Sequence, residues 1–159
     1  MQTGRHPISR EGILEPHEKE AIDKIFDMTL TKVADIMVPL KNAVSLEAGM
    51  SFEDVKARAR SVAATRFPVF EGKALKGMLN IFDALYDGGG NWIACMRPIV
   101  RLESDESLDK AFSKMQPAQE ALAAVCKGPD VVGLLTMEDL MEYITSQLRE
   151  SKAEGKKQP

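Results

Sequence analysis

The apolar and polar positions of this chain follow one pattern twice, with the second copy 56 residues after the first. Residues 77–83 and 133–139 have matching glycine, apolar and acidic positions, and residues 44–47 match residues 100–103 in the same register. No gap is needed between these matches. A fixed period of this size is typical of a duplicated structural unit, so we expect two copies of one small fold.

Within each copy, helical spacing and strand-like apolar runs alternate. The first copy predicts a strand at 43–46, a helix at 51–60, strands at 67–70 and 75–79, and a helix at 81–86. The second predicts a strand at 99–102, a helix at 107–115, strands at 121–126 and 131–135, and a helix at 137–148. Both have the order β-α-β-β-α. Because so small a sheet cannot cover both of its faces, we expect the two copies to pack sheet to sheet.

An amphipathic segment precedes the first copy. It begins near Glu15, and Pro16 suits the first turn of a helix. Its apolar stripe consists of Ala21, Ile22, Ile25, Phe26 and Met28. We expect this stripe to pack on another element. A short helical segment at 33–37 stops before Pro39, whose ring disfavours helix in the preceding residue.

These elements divide the chain into consecutive parts. The predicted parts are a disordered lead at 1–14, a connector helix at 15–32, a first repeat at 33–87, a linker at 88–91, a second repeat at 92–148 and a disordered tail at 149–159. The glycine-rich linker lacks the Lys-Ser/Thr pair of a nucleotide-triphosphate loop, so we interpret it as a plain connection.

Composition narrows the function. The chain is 44% apolar and 28% charged with a net charge of −3, which is typical of a soluble globular protein and offers no basic excess to attract nucleic acid. No apolar run approaches the ~20 residues of a membrane-spanning helix, so we expect a cytoplasmic protein. His6 and His17 have no partners at metal-ligand spacing, and no nucleophile elbow is present. We therefore expect neither a metal site nor an enzyme.

Thr136 and Asp139 stand where the last predicted strand of the second copy passes into a helix. The threonine hydroxyl can accept a hydrogen bond from the backbone N–H of the third helical residue, which is Asp139. That arrangement is a helix cap worth about 1 kcal/mol, without any ligand. Alternatively, the hydroxyl and the carboxylate face a ligand, because a carboxylate can accept two hydroxyl hydrogen bonds in a fork. The sequence leaves both interpretations open.

The chain resembles a tandem CBS-domain pair, also called a Bateman module. The family mark is a glycine, a short strand, a Ser or Thr and an Asp three residues later, here Gly133, Thr136 and Asp139. Residues 35–39 and 66–72 narrow the resemblance to the cytosolic CBS pair of CorC/HlyC-like membrane proteins, the bacterial relatives of the CNNM magnesium transporters. The resemblance extends over roughly residues 11–148.

This resemblance implies an α/β (α+β) fold in which two β-α-β-β-α repeats pack sheet to sheet behind an N-terminal connector helix. It also implies a regulatory module that binds an adenine nucleotide (ATP, ADP or AMP, with or without magnesium) and controls an attached membrane domain for magnesium transport. We expect a homodimer at the cytosolic face of the membrane. The alternative is a structural dimerisation module that binds no ligand. The first helix would be the connector to the membrane domain, or it would cover the sheet or a dimer seam.

In related pairs, an aspartate at the position of Asp139 holds the ribose hydroxyls, and a threonine at that of Thr136 lies near the ribose or phosphate. The arginine before the Phe-Pro-Val strand, here Arg66, lies at the mouth of the same cleft and suits phosphate oxygens. The resemblance adds Pro68, Val38 and Val44 to the predicted nucleotide-binding residues, the two valines as walls of the adenine side. Ordinary core or loop positions remain the alternative for both valines. The alternative for Arg66 is a surface ion pair with Glu71 or Glu53.

The register of the repeats predicts two unequal clefts. Arg66 corresponds to Leu122, Thr136 to Asn80, and Asp139 to Asp83. One cleft would combine the arginine with Thr136 and Asp139, and a second, weaker cleft would hold Leu122 with Asn80 and Asp83. We therefore expect one competent nucleotide site.

Overall fold

The computed structural model describes residues 15–87, 90–118 and 121–145. Its first part contains α1 (Pro16–Leu30), α2 (Val33–Ile36), β1 (Val38–Pro39), β2 (Leu46–Glu47), α3 (Phe52–Val62), β3 (Arg66–Glu71), β4 (Ala74–Asn80) and α4 (Ile81–Tyr86). The later parts contain β5 (Val100–Glu103), α5 (Leu108–Ala118), β6 (Leu122–Lys127), β7 (Asp130–Thr136) and α6, which is helical over residues 137–145. Short 3-10 helices at Leu40–Asn42 and Trp92–Cys95 precede β2 and β5.

The predicted order β-α-β-β-α is present in both copies, and the predicted fold class is confirmed. The predicted lead, the predicted tail and residues 88 and 89 of the predicted linker lie outside the described residues. The same holds for residues 146–148 of the last predicted helix.

The sequence repeat is also a repeat of hydrogen-bonding register. In the sheet of order β2-β3-β4, Leu46 lies opposite Val69, and in the sheet of order β1-β7-β6-β5, Leu102 lies opposite Val125. Each hairpin has a register shift directly after its valine. The hairpin turns place Gly72 and Gly128 at φ values of 65° and 63°. Because only glycine adopts this left-handed backbone without strain, the turn explains one repeated glycine.

Each repeat sends its leading segment across to the sheet of the other repeat. Val38 of β1 pairs with Leu134 of β7, and Arg97 pairs with Met78 of β4. Gly133 lies under the first crossing: a Cβ there would come 2.6 Å from the Val38 carbonyl oxygen. Sequence patterns did not predict these pairings, because a pairing of one or two residues is too short to show a periodicity.

Two hydrophobic cores lie under the two sheets, and a third cluster joins them. Leu46, Phe67 and Leu79 belong to the first core, and Leu102 and Leu135 belong to the second. The joining cluster consists of Met78, Leu122 and Leu134. Since these side chains come from both sheets, the predicted packing of sheet against sheet is confirmed.

The predicted packing face of α1 is wrong in detail. The helix buries Met28 and Lys24, whereas Ile25 and Phe26 are 57% and 61% exposed. The Lys24 ammonium lies 5.1 Å from the centre of the Tyr143 ring, so a lysine with a long apolar stem covers part of the second repeat. The helix therefore contacts the rest of the chain through one edge of its apolar stripe.

Candidate functional site

A cavity of about 620 Å³ opens where the two repeats meet. The described residues that line it are Ala63, Ala64, Thr65 and Arg66 from the first repeat and Ala121, Leu122, Thr136, Met137, Glu138 and Met141 from the second. The loop from α3 to β3 forms one wall, and the start of α6 forms the other. The structure thus brings Arg66 and Thr136, two of the predicted site residues, to one cavity.

Arg66 begins β3 and its side chain is exposed. Within the described ranges, its guanidinium has no hydrogen bond or ion pair. The predicted alternative, a surface ion pair, is wrong because both acidic candidates bind lysines instead. Glu71 lies 3.7 Å from Lys76, and Glu53 lies 2.9 Å from Lys56. An unpaired guanidinium at a cavity wall is available for an anion, and its planar donors suit phosphate oxygens.

Thr136 caps the start of α6. Its Oγ1 accepts a hydrogen bond of 2.9 Å from the backbone N–H of Asp139, so the capping bond expected from the sequence is present. This bond uses the main chain of Asp139 and leaves its carboxylate unused. That carboxylate is half-buried and has no hydrogen bond or ion pair to any residue that the structure describes. A helix cap and a ligand-binding carboxylate are therefore compatible at this position.

The other predicted site residues lie outside the lining of this cavity. Val38 is half-buried opposite Leu134, Val44 packs against the first core, and Pro68 is buried in β3. Asp139 is the third residue of α6, which begins directly after Thr136, and it also does not line the cavity.

Leu122 was predicted to belong to the other cleft, and that prediction is wrong. It lies directly opposite Thr136 in the β6–β7 hairpin and therefore lines the same cavity. A regular hairpin with its turn at residues 128 and 129 would pair Leu122 with Leu135, and the register shift after Val125 moves its partner to Thr136. The sequence pattern gave no signal for that shift. Met137 and Met141 are further apolar lining residues that the sequence reasoning missed.

The corresponding helix start in the first repeat has different partners. Asn80 Oδ1 accepts a hydrogen bond of 3.0 Å from the backbone N–H of Phe82. The Asp83 carboxylate accepts two hydrogen bonds from Arg97, from Nε at 2.9 Å and from Nη2 at 3.0 Å. The carboxylate that corresponds to Asp139 is therefore occupied by an arginine of the same chain.

Two further observations concern the described residues as a whole. None of the helices there combines the length and apolar character that crossing a membrane requires. The same part of the chain contains no cluster of three or more His, Cys, Asp or Glu residues that could hold a metal ion.

Comparison with known proteins identifies the class of protein domain that this chain resembles. The family model for the CBS domain matches residues 93–146, which contain most of the second repeat. Several solved CBS domains share the fold of nearly the whole chain. The CBS domain of a bacterial CNNM/CorC family Mg²⁺ transporter superposes with a TM-score of 0.73 at 24% identity, covering 86% of this chain and 88% of that one.

The narrower resemblance is to the CNNM/CorC group. The same type of domain solved in complex with ATP gives a TM-score of 0.74 at 24% identity and covers 82% of this chain and 98% of its own. A CBS-domain pair with bound AMP from Klebsiella pneumoniae gives 0.64 at 19% identity, with 72% and 98% coverage. The resemblance stated from the sequence is confirmed. Because the sequence identities to these solved structures are below 25%, the structural match establishes the fold alone.

Curated relatives extend beyond this chain. The uncharacterized protein Rv1841c of Mycobacterium tuberculosis is 30% identical over 151 residues, which cover 88% of this chain and 44% of the relative. The UPF0053 protein YhdP of Bacillus subtilis is 23% identical over 151 residues, covering 89% and 34%. The chain thus spans less than half the length of these relatives.

Proposed function

We propose that this chain is a cytosolic regulatory module that binds an adenine nucleotide between its two repeats and controls an attached CorC/HlyC-like membrane domain for magnesium transport. The observation that carries the proposal is the arrangement of Arg66 from one repeat and Thr136 from the other on one cavity. Asp139 follows Thr136 by three residues, and its carboxylate has no partner among the described residues. Solved domains of similar fold contain ATP or AMP, which supports this class of ligand.

Each side chain has a role that its chemistry suits. Arg66 binds phosphate oxygens, and Thr136 still has a hydroxyl proton to donate to the ribose or a phosphate. Asp139 accepts hydrogen bonds from the two ribose hydroxyls. Leu122 and Met137 supply apolar surface for the base. The cavity volume of about 620 Å³ lies within the ~300–1,000 Å³ usual for small-molecule sites.

Magnesium enters this proposal with the nucleotide. Since the described residues contain no acidic cluster for a metal ion, the phosphate oxygens of ATP would supply its main ligands. Magnesium would then strengthen binding of ATP and have little effect on AMP, which carries a single phosphate.

Regulation follows from where the cavity lies. Because the walls of the cavity come from both repeats, the affinity for the nucleotide depends on how the repeats are arranged. In a homodimer it also depends on how the two chains are arranged. The nucleotide biases the attached domain only by its difference in affinity between two such arrangements.

Isothermal titration of the isolated chain with ATP, ADP and AMP, each with and without magnesium, tests the proposal. We expect saturable heat for at least one nucleotide at one equivalent per chain. Absence of heat for all of them, from a chain that circular dichroism shows to be folded, would overturn the proposal.

The second candidate is a structural dimerisation module without a ligand. It is favoured by Phe82, Leu85 and Tyr86 of α4, which are 54%, 47% and 91% exposed. An exposed apolar group of this kind suits a contact between chains. A homodimer is expected under both functions, so light scattering tests the dimer and the nucleotide titration separates the functions.

A further inference from the structure

We propose that Arg97 excludes nucleotide from the first repeat by occupying the Asp83 carboxylate, and that this pair restricts the module to one site. The inference rests on the proposed function. It identifies the residue that makes the two repeats unequal. It differs from the inequality expected from Leu122, because Leu122 lines the cavity of Arg66 and Thr136.

The pair has the geometry of a specific contact. The Arg97 guanidinium contacts the Asp83 carboxylate with Nε 2.9 Å from Oδ2, and with Nη2 2.8 Å from Oδ2 and 3.0 Å from Oδ1. Both carboxylate oxygens therefore accept a hydrogen bond from the arginine. A ribose would have to place its two hydroxyls on the same two oxygens, so the fork and the sugar compete for one acceptor.

Arg97 corresponds to Val38 in space as well as in sequence. Met96-Arg97-Pro98 matches Met37-Val38-Pro39 at a spacing of 59. Arg97 exchanges two backbone hydrogen bonds of 2.8 Å with Met78, and Val38 pairs with Leu134 at the corresponding position of β7. Asp83 thus meets the guanidinium of Arg97, whereas the residue at the equivalent position beside β7 is Val38, which carries no charge.

The fold does not require this ion pair to hold the crossing segment. The two backbone hydrogen bonds between Arg97 and Met78 already fix that segment, and they do not depend on the side chain at position 97. Val38 makes the equivalent crossing without any charge. The Arg97 guanidinium is therefore not needed for folding and can act in limiting the number of nucleotide sites.

Equilibrium dialysis of the isolated chain against saturating ATP tests the inference. The wild type should retain one equivalent. Arg97→Val should retain a second, weaker equivalent, and Arg97→Val combined with Asp83→Asn should return to one. Arg101→Val is the matched control: it removes the same charge from a side chain that contacts Leu75 rather than Asp83, and it should leave one equivalent.

A second experiment introduces an arginine at position 38, which is equivalent to position 97. Val38→Arg should place a guanidinium beside Asp139 and weaken ATP binding by at least about tenfold, the effect expected for competition with a charged hydrogen bond. Val38→Leu, with added bulk but no charge, should stay within about threefold of the wild type. Equal loss in both variants would show that bulk alone matters and would contradict the inference.

The two proposals fail differently. A wild-type chain that binds no ATP contradicts the proposed function. A wild type with one equivalent and an Arg97→Val variant that also retains only one contradicts the role of Arg97. If circular dichroism shows that Arg97→Val does not fold, Arg97→Met, which keeps the long apolar stem, replaces it with the same expected outcomes.

Discussion

The starts of α4 and α6 occupy equivalent positions in the two repeats, with matching backbone hydrogen bonds from Ile81 to Thr65 and from Met137 to Ala121. They differ in what their side chains leave available. At α4, Asn80 caps the helix and Asp83 is bound by Arg97. At α6, Thr136 caps the helix, and the Asp139 carboxylate has no partner among the described residues. The repeat places an aspartate at the start of both helices. The neighbouring side chain then decides whether that carboxylate is free.

The strand-to-helix turns after β2 and β5 also have equivalent positions with different side chains. After β5, the Glu106 carboxylate accepts a hydrogen bond of 2.7 Å from the backbone N–H of Glu103. At the corresponding position after β2, the Met50 sulfur lies 3.3 Å from the backbone nitrogen of Glu47. The second repeat thus holds its turn with a charged group where the first uses a thioether, which is a weak acceptor.

Removing the two equivalent aspartates should have very different effects on the affinity for ATP. Asp139→Ala removes the acceptor that we propose for the ribose hydroxyls and should weaken ATP binding about 100-fold, as expected when two hydrogen bonds to a charged group are lost. Asp83→Ala should change the affinity of the wild-type site by less than about twofold, because Arg97 already occupies Asp83. Titration calorimetry measures both. Equal losses would mean that the two clefts are not distinguished by their carboxylates.

Adding a methyl group at the two crossings should destabilise both repeats. An alanine Cβ would lie 2.6 Å from the Val38 carbonyl oxygen in Gly133→Ala and 2.6 Å from that of Arg97 in Gly77→Ala. We expect each variant to lose about 1–3 kcal/mol of unfolding free energy in urea. Gly133→Ala should lose more, because Met37 Sδ would lie only 2.7 Å away.

Gly49→Ala is the control for this pair. A Cβ at Gly49 would meet nothing within 4 Å, so its effect should stay within about 0.5 kcal/mol. If Gly77→Ala and Gly133→Ala are as stable as this control, the crossings are looser than the structure shows.

Arg66 and Leu122 stand at equivalent positions, and only the arginine can bind phosphate. Arg66→Ala should weaken ATP binding about tenfold and adenosine binding by less than about twofold, because adenosine has no phosphate. Arg66→Lys should retain part of the affinity, since a lysine keeps the charge but loses the planar fork. Arg60→Ala, at an exposed position of α3, controls for the lost charge. An equal loss for ATP and adenosine would assign Arg66 a structural role.

The periodic features of the chain were predictable from the sequence, and single contacts were not. Helix α4 was predicted with its observed ends at Ile81 and Tyr86, because apolar spacing and the repeat agree there. The packing face of α1 was missed because its apolar stripe is wider than the surface it covers, and Lys24 takes one buried position. The contact between Arg97 and Asp83 was missed because a single side-chain ion pair leaves no periodic pattern, and the equivalent residue Val38 has no charge that would indicate it.

The smallest expected effect concerns the two turns and depends on pH. Burial raises the pKa of Glu106, but hydrogen bonds from Lys114 and the Glu103 backbone N–H, with the charges of Lys114 and Lys110, outweigh it and lower that pKa. A lowered folded-state pKa stabilises the fold above the ordinary glutamate pKa near 4.3, and this stabilisation is lost as pH falls through the folded-state value. Glu106→Met, which copies Met50, should therefore lose about 1 kcal/mol of unfolding free energy at pH 7. The loss should shrink as the pH falls below about 4.

Urea unfolding across this pH range, with Glu103→Gln as the control for an exposed carboxylate, checks the prediction. A loss that does not vary with pH would mean that the turn depends on the shape of Glu106 and not on its charge.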